Sequence, residues 1–172
     1  DVWESSLSPY VENKVQWAEK FRTVCGLRMD YYYFDVNSDL SANSGTRDDA
    51  IVSPKGSLIF GPWAETEYYL SAGLGFHSNA GRGVTQQVDP KTGNTVESAD
   101  PLVRTKGAEI GLRTTIVKGL QSTLALWLLD MDSELVFSGD SGSTEAGDSS
   151  RRYGVEWTNY YTPTKWLALD AD

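Results

Sequence analysis

The sequence predicts an all-β protein, an antiparallel up-and-down meander of about eight strands. Val, Ile, Thr, Tyr and Trp dominate a series of runs in which apolar and polar residues alternate. Glycines such as Gly73 and Gly75 lie inside these runs, where a helix would lose about 1 kcal/mol per glycine relative to alanine. The connections between the runs are alternately short and long, which is the third indication of a meander.

The strand-like runs are long for a soluble protein. They cover residues 9–17, 21–36, 50–60, 66–77, 102–116, 120–137, 150–161 and 166–172. Strands of soluble proteins average about 5–6 residues. A tilted strand that crosses a bilayer needs about 9–11 residues within the hydrocarbon. The run lengths therefore suit strands that cross a membrane and extend beyond it.

Each strand is predicted to have an apolar face and a charged or glycine-rich face, because successive side chains of a strand point to opposite sides. In the run 106–113 the apolar face carries Ala108, Ile110 and Leu112. The opposite faces of this run and of 26–31 and 152–157 carry the charged residues Arg28, Asp30, Glu109, Arg113, Arg152 and Glu156.

The connections are sorted by length onto opposite edges of the predicted sheet. Short connections cover residues 18–20, 61–65, 117–119 and 162–165, and long polar ones cover 37–49, 78–101 and 138–148. The Ser- and Gly-rich segment 138–148 predicts a mobile loop. Transmembrane β-barrels of the outer membrane have short periplasmic turns and long extracellular loops. The order of the connections is therefore typical of such a barrel.

Composition and charge exclude several classes of function. The 172 residues carry a formal net charge of -9, which disfavours nucleic acid as a partner because phosphate binding needs a basic face. Cys25 is the one cysteine and His77 the one histidine, so no intrachain disulfide, no metal site and no cofactor are predicted. The longest apolar run, 124–129, is far shorter than a transmembrane helix.

Aromatic residues near the predicted strand ends suit the aromatic girdles of a membrane barrel. The candidates are Trp63, Trp127, Trp157, Trp166, Tyr68 and Tyr69. Of these, Trp63 and Trp166 flank short turns and suit the periplasmic girdle. In the alternative of a soluble β-sandwich, these side chains would fill the core between two sheets.

Six motifs distributed over the chain resemble those of TonB-dependent receptors and occur in the order typical of that family. They are Gly26-Leu-Arg-Met-Asp30, Ser53-Pro-Lys-Gly56, Gly75-Phe-His-Ser-Asn79, Lys106-Gly-Ala-Glu-Ile-Gly-Leu-Arg113, Leu120-Gln-Ser-Thr-Leu-Ala-Leu-Trp127 and Arg151-Arg-Tyr-Gly-Val-Glu156. The resemblance covers essentially the whole chain.

The resemblance implies a 22-stranded barrel in the bacterial outer membrane, plugged by an N-terminal domain. Such receptors take up scarce nutrients, often siderophore-bound iron or cobalamin, with energy passed from the inner membrane by TonB. The implied partners are outer-membrane lipid, the receptor's own plug domain, the TonB system and a small nutrient ligand. We expect residues 1–172 to form a portion of the C-terminal half of the barrel, with the plug and the remaining strands outside this portion.

Nine polar residues are candidates for ligand binding. Seven of them would line the lumen, where they contact the solute or the plug: Arg28, Asp30, Lys55, Glu109, Arg113, Arg152 and Glu156. The alternative for these seven is a wall of cross-strand ion pairs. His77 and Asn79 lie where a strand leaves the membrane and would contact a ligand at the extracellular mouth. The alternative for His77 is a hydrogen-bonded loop histidine.

An enzyme is not predicted. Glu109 and Glu156 each have an arginine on the same strand face, four residues away. A neighbouring arginine keeps a carboxylate charged, which is wrong for the general acid of a glycosidase. Two other functions stay open from the sequence: a soluble β-sandwich that binds a carbohydrate or another ligand, and a passive porin.

The isolated chain would expose a large apolar face and two sheet edges. Leu124, Leu126, Leu128 and Trp157 share that face. Exposed edges and apolar patches promote association. We therefore expect a sheet of this size either to close into a small barrel or to pair with a second copy through its edges.

Overall fold

A computed structural model describes residues 1–138 and 143–172, with side chains at all of these positions except 134–147. The strands are β1 (Val2–Leu7), β2 (Tyr10–Ala18), β3 (Phe21–Val36), β4 (Gly45–Trp63), β5 (Thr66–Ser78), β6 (Leu102–Thr114), β7 (Leu120–Met131), β8 (Glu134–Ser138), β9 (Ser143–Gly147), β10 (Ser150–Thr164) and β11 (Leu167–Ala171). A 3₁₀ turn (Ser41–Asn43) and a one-turn helix α1 (Gly81–Val84) lie in the long connections. Within the described residues, neither is long enough to cross a membrane as a helix.

The main sheet is an antiparallel meander, which confirms the predicted fold class. The strands β3, β4, β5, β6, β7, β10 and β11 are hydrogen-bonded in this order. On the other side of β3, β2 pairs with its first half and β1 with its second half, so that β1 and β2 form one column of the sheet. The sheet thus has eight columns. Its end columns do not pair with each other, so both edges are open in the described part of the chain.

Two predicted elements after residue 120 differ from the structure. The prediction of one strand over 120–137 is wrong, because β7 ends at Met131 and β8 pairs with β9 in a separate two-stranded sheet. A period of two residues continues across this break, so alternation alone does not reveal the change of partner. The mobile loop predicted over 138–148 falls partly on residues 139–142, outside the described residues, and partly on β9.

Two further differences lie in β1 and β4. The strand β1 was not predicted, since the first predicted strand began at residue 9 and corresponds to β2, and β4 begins at Gly45 and not at residue 50. The early part of β4 carries Arg47, Asp48 and Asp49 in succession, yet each residue pairs with β3. A strand that has left the bilayer faces water on both sides, so it has no apolar alternation to recognise.

The predicted alternation of faces is confirmed. Ile110, Leu126 and Val155 lie on one face and are 57%, 54% and 67% exposed. We call this the outer face. One register row across it consists of Phe60, Tyr68, Leu112, Leu124 and Trp157. The opposite, inner face carries most of the charged residues and most of the glycines of the strands.

The buried core lies at the end of the sheet that carries the long connections. Phe34, Val36 and Val84 are among its buried apolar residues. Helix α1 contacts β1 and β3, so the β5–β6 connection passes over the inner side of these strands. A Cβ added at Gly81 would lie 2.9 Å from Val2 Cγ1 and 3.3 Å from Phe34 Cδ1, so only glycine permits this close approach.

A buried amide joins two of the long connections. The Oδ1 of Asn43 accepts hydrogen bonds from the backbone N–H groups of Gln87 and Val88, both at 2.9 Å. Its Nδ2 donates to the Val88 carbonyl at 2.8 Å, and Thr85 Oγ1 donates to the Asn43 carbonyl at 2.9 Å. The β3–β4 and β5–β6 connections are therefore held together as one unit.

Candidate functional site on the inner face

Long side chains of the inner face lie across glycines of the neighbouring strand. Lys55 crosses Gly26, where an added Cβ would be 2.6 Å from Lys55 Cε. In the same way, a Cβ at Gly111 would be 2.6 Å from the Tyr69 ring, and one at Gly154 would be 2.8 Å from the Trp127 ring. The absence of a side chain at these glycines makes room for a neighbour to lie flat on the sheet.

This packing corrects part of the predicted aromatic girdle. Tyr69 pairs with Gly111 and Trp127 with Gly154, so both side chains lie on the inner face and not at the lipid interface. The prediction was wrong because an aromatic residue was assigned by its type and not by its register. Tyr68 and Trp157 are on the outer face, and Trp63 and Trp166 lie exposed at the short-turn end, as expected.

Two ion pairs on the inner face span an intervening strand. Arg22 of β3 reaches across β4 to Glu67 of β5, with Nη1–Oε1 at 2.7 Å and Nη2–Oε2 at 2.8 Å. Lys55 of β4 reaches across β3 to Glu12 of β2, with Nζ–Oε2 at 2.9 Å. This geometry supports the alternative of a wall of cross-strand ion pairs. Bidentate arginine pairs also fix the register of the strands that they join.

A third pair lies within one strand. Arg28 binds Asp30 through Nε at 2.9 Å and Nη2 at 2.6 Å, and the Asp30 side chain is 0% exposed. The arginine itself keeps 51% of its side chain exposed. The pair therefore presents a cation to the inner space and hides its carboxylate.

The inner face contains a polar cavity nearer the short-turn end. Its volume is about 280 Å³, and its lining includes Arg22, Glu67, Tyr69, Glu109 and Arg113. The Tyr69 hydroxyl donates a hydrogen bond to Glu109 Oε1. Glu109 and Arg113 were predicted from the sequence as site residues, whereas Arg22 and Glu67 were not, although both follow the alternation of their strands.

The remaining predicted site residues lie apart from this cavity. His77 is a half-buried residue of β5 that pairs with Val103 of β6, so its interpretation as a loop histidine is wrong. The Asn79 side chain is buried, and its Nδ2 donates to the Asp100 carbonyl at 2.7 Å, which closes the base of the β5–β6 connection. Arg152 and Glu156 lie exposed on the inner face of β10.

The side chains of the described residues do not form an evident metal site. No three His, Cys, Asp or Glu side chains converge on one point in this part of the chain. The carboxylates of Glu12, Asp30 and Glu67 are each bound to a cation. Paired carboxylates of this kind hold a wall together and do not provide a free ligand set.

One acidic residue of the long connections has a perturbed pKa. The Asp89 carboxylate accepts a hydrogen bond from the backbone N–H of Lys91 at 2.8 Å. This bond, with hydrogen bonds from Thr92, lowers the pKa of Asp89 below its ordinary value of 3.8. A charged Asp89 therefore stabilises the turn that precedes Gly93.

The geometry shows that this chain is part of the wall of a membrane β-barrel. A sandwich would bury its apolar face against a second sheet, whereas the described main sheet leaves that face exposed along all of its long strands. The opposite face is polar, glycine-rich and bound by ion pairs, and the long connections share one end. A barrel wall between lipid and a polar interior has this arrangement.

The family follows from the sequence as a whole. A family model described as "TonB dependent receptor-like, beta-barrel" matches residues 2–171. The chain therefore belongs to the TonB-dependent receptor β-barrel family, and its place is the bacterial outer membrane. No curated protein sequence matches it.

Solved structures of outer-membrane transporters share the fold. The copper transporter OprC superposes with a TM-score of 0.73 at 20% identity, over 96% of this chain and 27% of OprC. The ferric-catecholate import receptor Fiu from E. coli K12 gives 0.69 at 16% identity, over 94% and 26%. The alcaligin receptor FauA from Bordetella pertussis gives 0.65 at 15% identity, over 95% and 28%. The chain thus spans about a quarter of the length of these structures.

Proposed function

We propose that this chain is a barrel-wall portion of an outer-membrane receptor that takes up a scarce nutrient with energy supplied through TonB. The observation that carries the proposal is the family match over residues 2–171. The named neighbours are a copper transporter, a ferric-catecholate import receptor and an alcaligin receptor, which favours a metal chelate such as a siderophore over cobalamin as the nutrient.

The two faces support this role. The apolar outer face suits outer-membrane lipid, and the inner face suits a plug domain of the same receptor. The glycines at 26, 111 and 154 keep the inner wall flat, because long neighbouring side chains lie down on them. A flat, ion-paired wall allows a folded plug to sit close to it. The open edges at β1–β2 and β11 are where we place further barrel strands, so that residues 1–172 form part of the C-terminal half of the barrel.

The nine predicted site residues have unequal support as contacts for the nutrient or the plug. Arg28 and Lys55 expose cationic groups on the inner face, and Glu109 and Arg113 line a cavity there. Arg152 and Glu156 extend the polar surface onto β10, and His77 lies above it on β5. Asp30 and Asn79 are buried in structural contacts, so we assign them to support and not to contact.

Uptake by whole cells tests the proposed function. Deletion of the gene for the full-length receptor should abolish growth on the cognate iron or copper chelate at limiting concentration, and deletion of tonB should do the same. Plasmid-borne receptor should restore growth only where TonB is present. Growth that survives loss of TonB would make the chain part of a passive porin and contradict the proposal.

Paired variants of one strand separate the inner face from the outer face in the same assay. Lys55→Ala removes an inner-face cation, and Leu58→Ala removes a methyl-rich side chain from the outer face of the same strand. If the inner face contacts solute or plug, the first variant slows uptake and the second does not, at equal amounts of folded receptor. Equal uptake by both variants would contradict the proposal that the inner face contacts the solute or the plug.

A further inference from the structure

The strands β4 and β5 part halfway along their length. Their ladder runs from Trp63 and Thr66 to Lys55 and Gly73, and it ends there. Beyond this point β4 continues to Gly45 beside β3, and β5 continues to Ser78 beside β6. The space between the two strands is a gap in the wall, which we call the seam.

Side chains bridge the upper part of the seam. Arg104 Nη1 of β6 donates to the Val52 carbonyl of β4 at 2.7 Å. The rings of Tyr32 and Phe76 meet edge-on across it, with their centroids 5.8 Å apart. The seam is therefore closed by the β4–β5 ladder at one end and crossed by a polar and an aromatic contact farther along.

A cavity of about 490 Å³ lies at the base of the seam. This volume is within the range of small-molecule sites, which is about 300–1,000 Å³. Tyr10, Arg28, Ser53 and Lys55 line its inner side, and Gly75 and Phe76 line the side of β5. The lining thus combines a few polar groups with aromatic walls, as small-ligand sites do.

The polar groups of this cavity have unused capacity for hydrogen bonds. Arg28 binds Asp30 through Nε and Nη2, so that Nη1 makes no hydrogen bond to the described residues. Lys55 uses its ammonium on Glu12 and keeps 64% of its side chain exposed. Ser53 Oγ is buried without a partner in the described part of the chain. A buried unpaired hydroxyl is unfavourable unless a ligand or water satisfies it.

The two charged residues that line the cavity, Arg28 and Lys55, are both cations, whereas their partners Asp30 and Glu12 are not among the lining residues. Arg28 and Lys55 are diagonal neighbours, since Arg28 pairs with Ser53 and Gly26 pairs with Lys55. The partner of Arg28 is wholly buried, whereas both cations are more than half exposed. An anionic oxygen placed between them would gain two charge-assisted hydrogen bonds and a third from Ser53.

We propose that this cavity binds a carboxylate of a small chelating ligand, with Arg28, Lys55 and Ser53 as donors and with Tyr10 and Phe76 as its walls. The proposal deepens the proposed function by naming the ligand chemistry, and it rests on that function. A carboxylate of the plug offers the same chemistry. The size of the cavity and its aromatic walls favour a small ligand, because a single side chain of the plug would fill only part of it.

Binding to the purified full-length receptor tests the site without any need for uptake. Citrate serves as the carboxylate ligand and sorbitol as a neutral molecule of similar size, both measured by calorimetry. Wild type should bind citrate and not sorbitol, and Lys55→Gln should weaken citrate binding at least about tenfold, because a charge-assisted contact is lost. Lys118→Gln removes a cation from a short turn outside the cavity and should change nothing.

Two further variants protect the test against misfolding. Arg28→Gln with Asp30→Asn removes the cation without leaving a buried carboxylate unpaired, and it should weaken citrate binding as Lys55→Gln does. Ser53→Ala should weaken binding several-fold while raising the melting temperature of the unliganded receptor, because it removes an unsatisfied hydroxyl. A merely structural role of Ser53 would not link these two effects.

The outcomes separate the proposal from its alternatives. Absence of citrate binding, or binding that Lys55→Gln leaves unchanged, would overturn it. Citrate binding that appears only after removal of the plug would show that a plug carboxylate occupies the cavity, which also overturns it. If citrate binds as expected but growth does not depend on TonB, the site stands and the proposed function fails.

Discussion

Polar side chains are satisfied differently on the two faces of the same strands. On the outer face the indole donors bond to a close neighbour: Trp157 Nε1 donates to Ser122 Oγ at 3.0 Å, and Trp17 Nε1 donates to Thr23 Oγ1 at 2.9 Å. On the inner face two of the ion pairs reach over a whole strand, as Lys55 does toward Glu12 and Arg22 toward Glu67. Lipid offers no hydrogen bonds, so an outer-face donor needs a partner within its own length. The inner face borders a polar space and tolerates extended pairs.

The largest expected effect comes from placing a charge on the outer face. Leu126→Arg puts a guanidinium halfway along β7, where lipid surrounds it, and should destabilise the full-length receptor by about 2–4 kcal/mol. Urea unfolding in lipid vesicles, followed by gel mobility of the folded barrel, measures the loss. Tyr160→Arg on the inner face of β10 is the control and should cost far less. Equal losses of unfolding free energy at the two positions would contradict the assignment of one face to lipid and the other to a polar interior.

A smaller effect tests the flat packing of the inner face. A Cβ at Gly111 would lie 2.6 Å from the Tyr69 ring and 2.7 Å from the backbone oxygen of Leu124, which cannot swing aside. Gly111→Ala should therefore cost about 1–3 kcal/mol in urea unfolding, the usual cost of overpacking. Gly107→Ala is the matched control on the same strand, because its nearest neighbour would be 3.9 Å away. A larger loss at Gly107 than at Gly111 would contradict the packing described above.

The ion pairs offer a third test. Arg22 and Glu67 are both less than one-third exposed, whereas Arg151 of the Arg151–Asp130 pair at the outer rim is 69% exposed. Glu67→Gln should cost about 1 kcal/mol, a typical value for a charge-assisted pair partly shielded from water. Asp130→Asn should have a smaller effect that disappears in 1 M salt, since screening acts on exposed charges. A larger loss of stability in Asp130→Asn than in Glu67→Gln would show that water screens the inner-face pair at least as strongly as the exposed pair.

The smallest effect lies above the membrane, where water surrounds the chain on every side. The lowered pKa of Asp89 means that its carboxylate stabilises the turn above pH 3.8 and that this contribution is lost as the pH falls below that value through the lower pKa of the folded state. The protection of the amides of residues 91–94 against exchange, relative to the intrinsic exchange rate at each pH, should therefore fall on acidification below pH 3.8. Asp89→Asn should exchange with less dependence on pH in that range, and identical profiles for both proteins would exclude this role.

Alternation was enough to predict much of the fold and part of the candidate site. The faces of β3, β6 and β10 follow from a period of two residues, and Glu109 and Arg113 were placed on the inner face for that reason. The partners of these residues were not predictable in this way. Arg22 and Glu67 are 45 residues apart, and they meet because two hairpins set the stagger of β3 against β5. Alternation predicts which face of the sheet a residue occupies, but it does not predict which residue of another strand lies beside it.

The sequence by itself determined the alternation of the two faces and which end of the sheet carries the long connections, because these depend on neighbours along the chain. Only the tertiary structure decided that Lys55 lies over Gly26, that the Asn43 side chain forms hydrogen bonds with the backbone of Val88, and that β4 and β5 separate at the seam. Each of these contacts depends on register between strands or on the path of a loop. Register is a property of the whole sheet, summed over every hairpin between the partners.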